Sequence, residues 1–183
     1  VTAMTSMFYD CESFNQPLSG WNVSKVTNMN SMFSDAFAFN QNIGNWNVSG
    51  VTDMSGMFSQ TYVFNNSGST SISGWNVSNV TNMSGMFSGA RAFNQPINNW
   101  NVGKVTDMSM MFFATSGFNQ SLASWNVSNV TNMYYMFANN VGYAQDMSNW
   151  NISGVTNFDG FMVNRTSSDY SSALLASLYI GWS

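Results

Sequence analysis

The sequence predicts a repeat solenoid of about six 25-residue coils, closed at its C-terminal end by a helical cap. Three observations predict it. Trp21, Trp46, Trp75, Trp100, Trp125 and Trp150 stand 25 residues apart, with one gap of 29. Val-Thr pairs beginning at Val1, Val26, Val51, Val80, Val105, Val130 and Val155 keep the same spacing. Twelve of the fifteen Met residues fall into two columns of that alignment, far beyond what an unpatterned chain gives. Self-similarity at such a period marks architectures in which each unit buries its apolar face only against its neighbours.

Each unit opens on Val and Thr. Three residues on comes the column Met4, Met29, Met54, Met83, Met108, Met133 and Phe158, and six on the column Met7, Met32, Met57, Met86, Met111, Met136 and Phe161. Phe8, Phe33, Phe58, Phe87, Phe112 and Phe137 follow directly, then a second aromatic column from Phe14 and Phe39 to Tyr143, then Leu18, Ile43, Ile72, Ile97, Leu122 and Met147. Val26, Met29, Met32, Phe33, Ala36 and Phe39 are spaced by three and four, the period of a short helix or a run of helical turns. Trp21 and Val23 alternate with Asn22 and Ser24, as on a strand. The expected coil is therefore a short strand, a corner and a short helical turn, with strands pairing in parallel between coils.

Residues 1–165 form this solenoid. The longer third unit carries an insertion near residues 65–71, rich in Ser and Gly and expected to bulge out as a loop. From Thr166 the pattern breaks. Ser167 or Asp169 suits a helix N-cap, Tyr170, Leu174 and Leu178 share one face, and Gly181 ends it, so residues 166–183 read as a C-terminal cap. No cap precedes Val1, and no signal peptide is present. This suggests a trimmed chain with further sequence upstream, or another chain stacked on an uncapped N-terminal coil.

The recurrent Asn residues, one column through Asn22, Asn47 and Asn76 and another through Asn15, Asn40 and Asn65, suit hydrogen-bonded ladders or corners. Asp53 and Asp107 replace Asn in the column of Asn28, Asn82, Asn132 and Asn157, and read as corner residues as well.

Composition removes several functions. The chain has no His and one Cys, Cys11. That excludes an intrachain disulfide, Cys-His catalysis, Ser-His-Asp triads and the usual zinc sites. Charged residues make up only 7% of the chain, against roughly 25% in a typical soluble protein. Lys25, Arg91, Lys104 and Arg165 are too scattered to displace counterions from nucleic acid, so no nucleic-acid partner is expected. No apolar run reaches the roughly 18 residues of a membrane span. The acidic residues form no evident acid-base pair, and the oxygen-rich corners suit calcium only if six or more oxygens converge. No cofactor, metal or catalytic residue is assigned. The Met columns read as core rather than soft-metal ligands. Cys11, in the small-residue column of Ala36 and Ala90, reads as a buried structural thiol.

The units WNVSKVTNMNSMFSDAFAFNQ and WNVSNVTNMSGMFSGARAFNQ closely resemble the BspA-family surface-protein repeat of unknown function, found also in mycoplasma surface lipoproteins. The ending DYSSALLASLYIGWS is similar to a tail that often follows those repeats. The resemblance implies a leucine-rich-repeat-like solenoid, secreted or on the cell surface, acting in adhesion or protein binding. It carries over no catalytic residue. The inserted third unit and the degenerate last unit depart from the pattern.

Residues that break the columns are the better guide to function, because regular ones serve the scaffold. Met110 and Tyr135 stand where other units carry Ser or Gly, Phe113 stands where most carry Ser or Ala, and Tyr134 replaces a Ser. These four are expected close together on one outer face. Phe37, Tyr62 and Arg91 share a second irregular column on successive coils. Exposed aromatic clusters of this kind mark interaction surfaces. The expectation is a non-enzymatic, extracellular or cell-surface module whose partner is a protein or a cell-surface glycan. Two alternatives remain: a structural protein assembling end to end through the uncapped coil, and an ice-binding protein presenting Thr27, Thr52, Thr81, Thr106 and Thr131.

Overall fold

The computed structural model describes residues 1–164; the predicted cap over residues 166–183 lies outside them. Consecutive units lie on one another in register. Parallel bridges run Ala3 to Asn28, Asp53, Asn82, Asp107, Asn132 and Asn157, one residue per unit. Four backbone N–H groups of each inner unit then reach the next. Met29, Ser31, Phe33 and Asp35 donate to the carbonyls of Asp53, Ser55, Met57 and Ser59 at 2.8–2.9 Å.

The residues between these donors bond within their own unit. Met32 donates to the Met29 carbonyl, Ser34 to that of Ser31 and Ala36 to that of Phe33, at 3.0–3.2 Å. Each such bond spans three residues and closes a four-residue turn. In the turns closed by Met32 and Ala36 the third residue is left-handed, with φ of 51° at Ser31 and 61° at Asp35, as a type II turn requires. The conformation recurs down two columns. Ser6, Ser31, Gly56, Gly85, Met110, Tyr135 and Gly160 have φ of 51–62°, and Asp10, Asp35, Gln60, Gly89, Ala114, Asn139 and Asn164 have φ of 53–70°.

This changes the local geometry expected from the sequence. The apolar spacing of three and four comes from consecutive tight turns, which return a side chain to the interior about every fourth residue. Among the described residues, helical geometry is confined to two 3-10 turns, Asn66–Gly68 and Thr70–Gly74. The Trp21 and Val23 segment forms no bridge either. Trp21 N–H donates to the Leu18 carbonyl and Val26 N–H to that of Val23, so the in–out alternation is again made by turns. Pairing between units sits instead at the Asn28 column.

Both Asn columns are used, in different ways. Asn22, Asn47, Asn76, Asn101, Asn126 and Asn151 accept the backbone N–H two residues on and close corners. Asn15, Asn40, Asn65, Asn94 and Asn119 accept from the next unit's backbone and so form a ladder. Asp53 and Asp107 are corner residues too, accepting the backbone N–H of Ser55 and Ser109 at 2.9 and 2.8 Å.

The interior is a continuous column of rings. Phe33, Phe58, Phe87, Phe112 and Phe137 stack from unit to unit with centroids 5.3–5.9 Å apart. Within a unit each faces the second aromatic column, as in Phe33–Phe39 at 4.0 Å and Phe87–Phe93 at 3.8 Å. Offset stacking at these distances adds roughly 0.5–1.5 kcal/mol per pair beyond burial. At the far edge the indoles of Trp46, Trp100, Trp125 and Trp150 donate through Nε1 to carbonyls of the preceding unit. On the first unit Trp21 is 39% exposed against 4% for Trp46.

The insertion is an exposed loop at Ser67, Gly68, Thr70 and Ser71, anchored through Asn66. Asn66 is fully buried. Its Oδ1 accepts the Ile43 N–H at 2.9 Å and its Nδ2 donates to the Ser69 carbonyl at 2.6 Å. The loop is thereby folded back onto the unit before it. The tryptophan ladder breaks at this point, where the buried Nε1 of Trp75 has no hydrogen-bond partner.

Candidate interaction surface

Of the four residues expected together on one face, three meet through their rings. The Tyr134 and Tyr135 rings lie 4.4 Å apart and tilted, and Phe113 lies 6.5 Å from Tyr135. Met110 belongs to the preceding unit and is tied in by its backbone, whose N–H donates to the Tyr134 carbonyl at 2.8 Å. Tyr134 is exposed, while Met110, Phe113 and Tyr135 are half-buried. Beside Met110 runs a shallow trough of about 290 Å³ floored by Gly56, Ser59, Ser84, Gly85 and Ser88. Small residues in two units thus end against a bulky wall in the next two.

Backbone conformation makes this wall unusual. Met110 and Tyr135 occupy the left-handed column, with φ of 55° and 53°. Side chains with a Cβ adopt that region at a cost of roughly 1–2 kcal/mol, and the other units there carry Ser or Gly. The sequence places two large side chains where the scaffold favours none, and such strain concentrates at functional positions.

The second group is also assembled. Phe37 and Tyr62 stack at 4.8 Å with their planes 4° apart. The guanidinium of Arg91 sits 4.7 Å from the Tyr62 centroid, within the range of a cation–π contact. Exposed Val63 adjoins Tyr62, and Val141 continues its column. Val141 does not stand out in the sequence, because that column is variable, whereas Val63 is the one large residue in a column of Ser13, Ala38, Ala92, Gly117 and Gly142, a signal that sequence reasoning missed.

Sequence reasoning missed Gly160. The Tyr135 ring lies over its Cα, where a Cβ would overlap Cε2 and Cδ2 of the ring. The signal was present, since Gly160 returns to the small-residue column directly after Tyr135, but only the packing shows why.

One other expectation resolves differently. Cys11 is exposed, not buried. Ala36 and Ala90, in the same column on inner units, are fully covered. Thr27, Thr52, Thr81, Thr106 and Thr131 are all exposed, and the Oγ1 of Thr52, Thr81, Thr106 and Thr131 each donates to the preceding Thr carbonyl at 3.2 Å. Among the described residues, no three acidic, Cys or His side chains group as a metal site, and no helix is long and apolar enough to cross a membrane.

The fold and surface together define a protein of tandem repeats with aromatic exceptions gathered on its outside. A family model described as "Mycoplasma protein of unknown function, DUF285" matches residues 1–71 and 66–173, and the chain belongs to this family. No curated protein and no solved structure matches it.

Proposed function

We propose that the chain is a leucine-rich-repeat-like solenoid of the BspA type, acting outside the cell or on its surface as a non-enzymatic module for protein binding and adhesion. The in-register bridges and ring stack support the architecture, and the WNVS–MF repeat supports the relationship. One observation carries the binding role: Met110 and Tyr135 keep bulky apolar side chains at left-handed positions and join Phe113 and Tyr134 in one cluster. Rigid aromatic side chains next to a trough offer a protein partner large contact area at low entropic cost.

The test replaces the wall by residues the scaffold uses elsewhere, Met110→Gly, Phe113→Ser, Tyr134→Ser and Tyr135→Gly, and measures attachment of fluorescently labelled chain to cultured animal cells by flow cytometry. The wild type should attach, and mild trypsin treatment of the cells should remove its receptor. The variant should fold and fail to attach. Equal attachment by both chains overturns the reading, and so does trypsin-resistant attachment.

A further inference from the structure

The strongest feature outside the aromatic wall is made by the insertion. Where the loop lies back on the earlier units it closes a groove of about 390 Å³, lined among others by Ser19, Gln41, Asn42, Asn45, Ser67 and Ser71. Clefts that hold small ligands begin at roughly 300 Å³. We propose that this groove binds a neutral saccharide.

Its lining carries hydroxyl and amide groups and no charged side chain. It therefore offers nothing to balance a phosphate, a carboxylate or an ammonium group, and a buried charge left unpaired is costly. Sugar hydroxyls donate and accept at once, and side-chain amides match them with a donor and an acceptor on one planar group.

The amides are also held in place. Asn42 Oδ1 accepts from the Gly44 N–H at 3.0 Å and from Ser71 Oγ at 3.1 Å. Gln41 Nε2 donates to the carbonyl and Oδ1 of Asn15, both at 2.9 Å. Asn45 Nδ2 donates to the Ser19 carbonyl at 2.7 Å. Each amide is thus fixed by one end. Asn42 Nδ2, Gln41 Oε1 and Asn45 Oδ1 remain as one donor and two acceptors that make no hydrogen bond among the described residues. Polar groups ordered before binding lose little entropy when a ligand arrives. The Pro17 ring adds an apolar surface to the same lining, suited to the C–H face of a sugar.

The groove is built by two linked departures from the repeat. One is the four-residue lengthening of the third unit, where the 25-residue spacing becomes 29. The other is Gly44, whose column elsewhere holds Ser19, Ser73, Asn98, Ala123 and Ser148. A Cβ at residue 44 would overlap Ser71 Oγ, so the unit that receives the loop is the one that lacks the side chain in its way. Backbone contacts fix the loop further: Ser67 N–H donates to Asn40 Oδ1 at 2.9 Å.

The full chain, labelled with ¹⁵N, would be titrated with maltotriose, cellotriose, chitotriose and lactose and followed by amide resonances. At least one sugar should shift Gln41, Asn42, Asn45 and Ser67 together, saturating in the millimolar range. Asn42→Asp retains the oxygen that holds Gly44 and Ser71, turns the free donor into an acceptor and adds a negative charge that a neutral sugar does not balance. It should leave the melting temperature unchanged and weaken that sugar about tenfold or more, as losing one hydrogen bond to a ligand does. No saturable shift with any of the four sugars, shifts confined to other units, or wild-type affinity in Asn42→Asp overturns the proposal. Tyr135→Gly should bind the sugar as the wild type does, so failure here and failure of the cell-attachment reading are separable.

Discussion

The ring of Tyr135 rests on Gly160 of the following unit, and the fit depends on Gly160 having no side chain. Gly160 shares the left-handed column with Tyr135 itself, at φ of 62°. A residue that strains its own backbone is thereby seated on the one residue type that leaves room for it.

Gly160→Ala should consequently do two things. It introduces a Cβ at positive φ, costing roughly 1–2 kcal/mol, and it lifts Tyr135 off its seat. At about 2–4 °C per kcal/mol for a chain of this size, thermal unfolding should begin a few degrees lower, and cell attachment should fall with it. Gly68→Ala is the matched comparison. It has φ of 77° with nothing within 4 Å of an added Cβ, and it lies in the insertion, outside both the cluster and the trough, so it should lower the melting temperature similarly and leave attachment intact. Equal attachment by the two variants would separate Tyr135 seating from binding.

Met110→Gly should stabilise the chain while weakening binding. Gly56 and Gly85 show that the column accepts glycine without loss of register, since both keep their N–H bonds to the next unit at 2.8 and 2.7 Å. Relief of the left-handed Cβ outweighs the lost burial of a half-exposed side chain. A gain of about 0.5–1 kcal/mol in urea unfolding is expected. A variant less stable than the wild type would mean that Met110 packs as scaffold.

The small-residue column that follows the tight turns provides a third test. Thr61 and Thr115 are fully buried there and donate through Oγ1 to the carbonyls of Phe33 and Phe87 at 2.9 and 2.6 Å. Asn140 occupies the same column, equally buried, and neither end of its side-chain amide has a partner. A buried polar group without a hydrogen bond costs about 1–3 kcal/mol. Asn140→Thr should therefore raise stability by roughly 1–2 kcal/mol, and Thr115→Val should lower it by a similar amount because Phe87 loses its donor. Both are read from equilibrium denaturation of the full chain.

The buried columns were legible in the sequence, because each inner unit buries the same side chains against the next; where the units pair was not. Nor was the path of the backbone. Spacings of three and four belong to a helix, but a chain of four-residue turns returns side chains inward at nearly the same interval. Gly56, Gly85 and Gly89, with Asp10 and Asp35, were the discriminating signal, since these residue types tolerate positive φ. Met110 and Tyr135 obscured that signal, because bulky side chains in the same column argue for a right-handed backbone. The aromatic groups were legible as exceptions to the columns. The seat at Gly160, the groove at Asn42 and the orphaned Asn140 amide were not, because each depends on which atoms face one another between units.

The Asn ladder supplies the last test, and it separates the two ends of one amide. Asn94 Oδ1 accepts the backbone N–H of Asn119 at 3.0 Å and Gln120 Nε2 at 3.1 Å. Only the oxygen does the bridging. Asn94→Ala removes both bonds and should cost about 1–2 kcal/mol, since the two groups return to water at a site that is itself exposed. Asn94→Asp keeps an oxygen in place and strengthens it by charge, so its stability should equal or exceed that of the wild type. In a stack where each unit contacts only its neighbours, a weakened interface lowers the cooperativity of the whole. The Ala variant should accordingly unfold over a broader denaturant range and the Asp variant as sharply as the wild type. If Ala and Asp behaved alike, the column would be a row of exposed polar residues rather than a ladder joining the units.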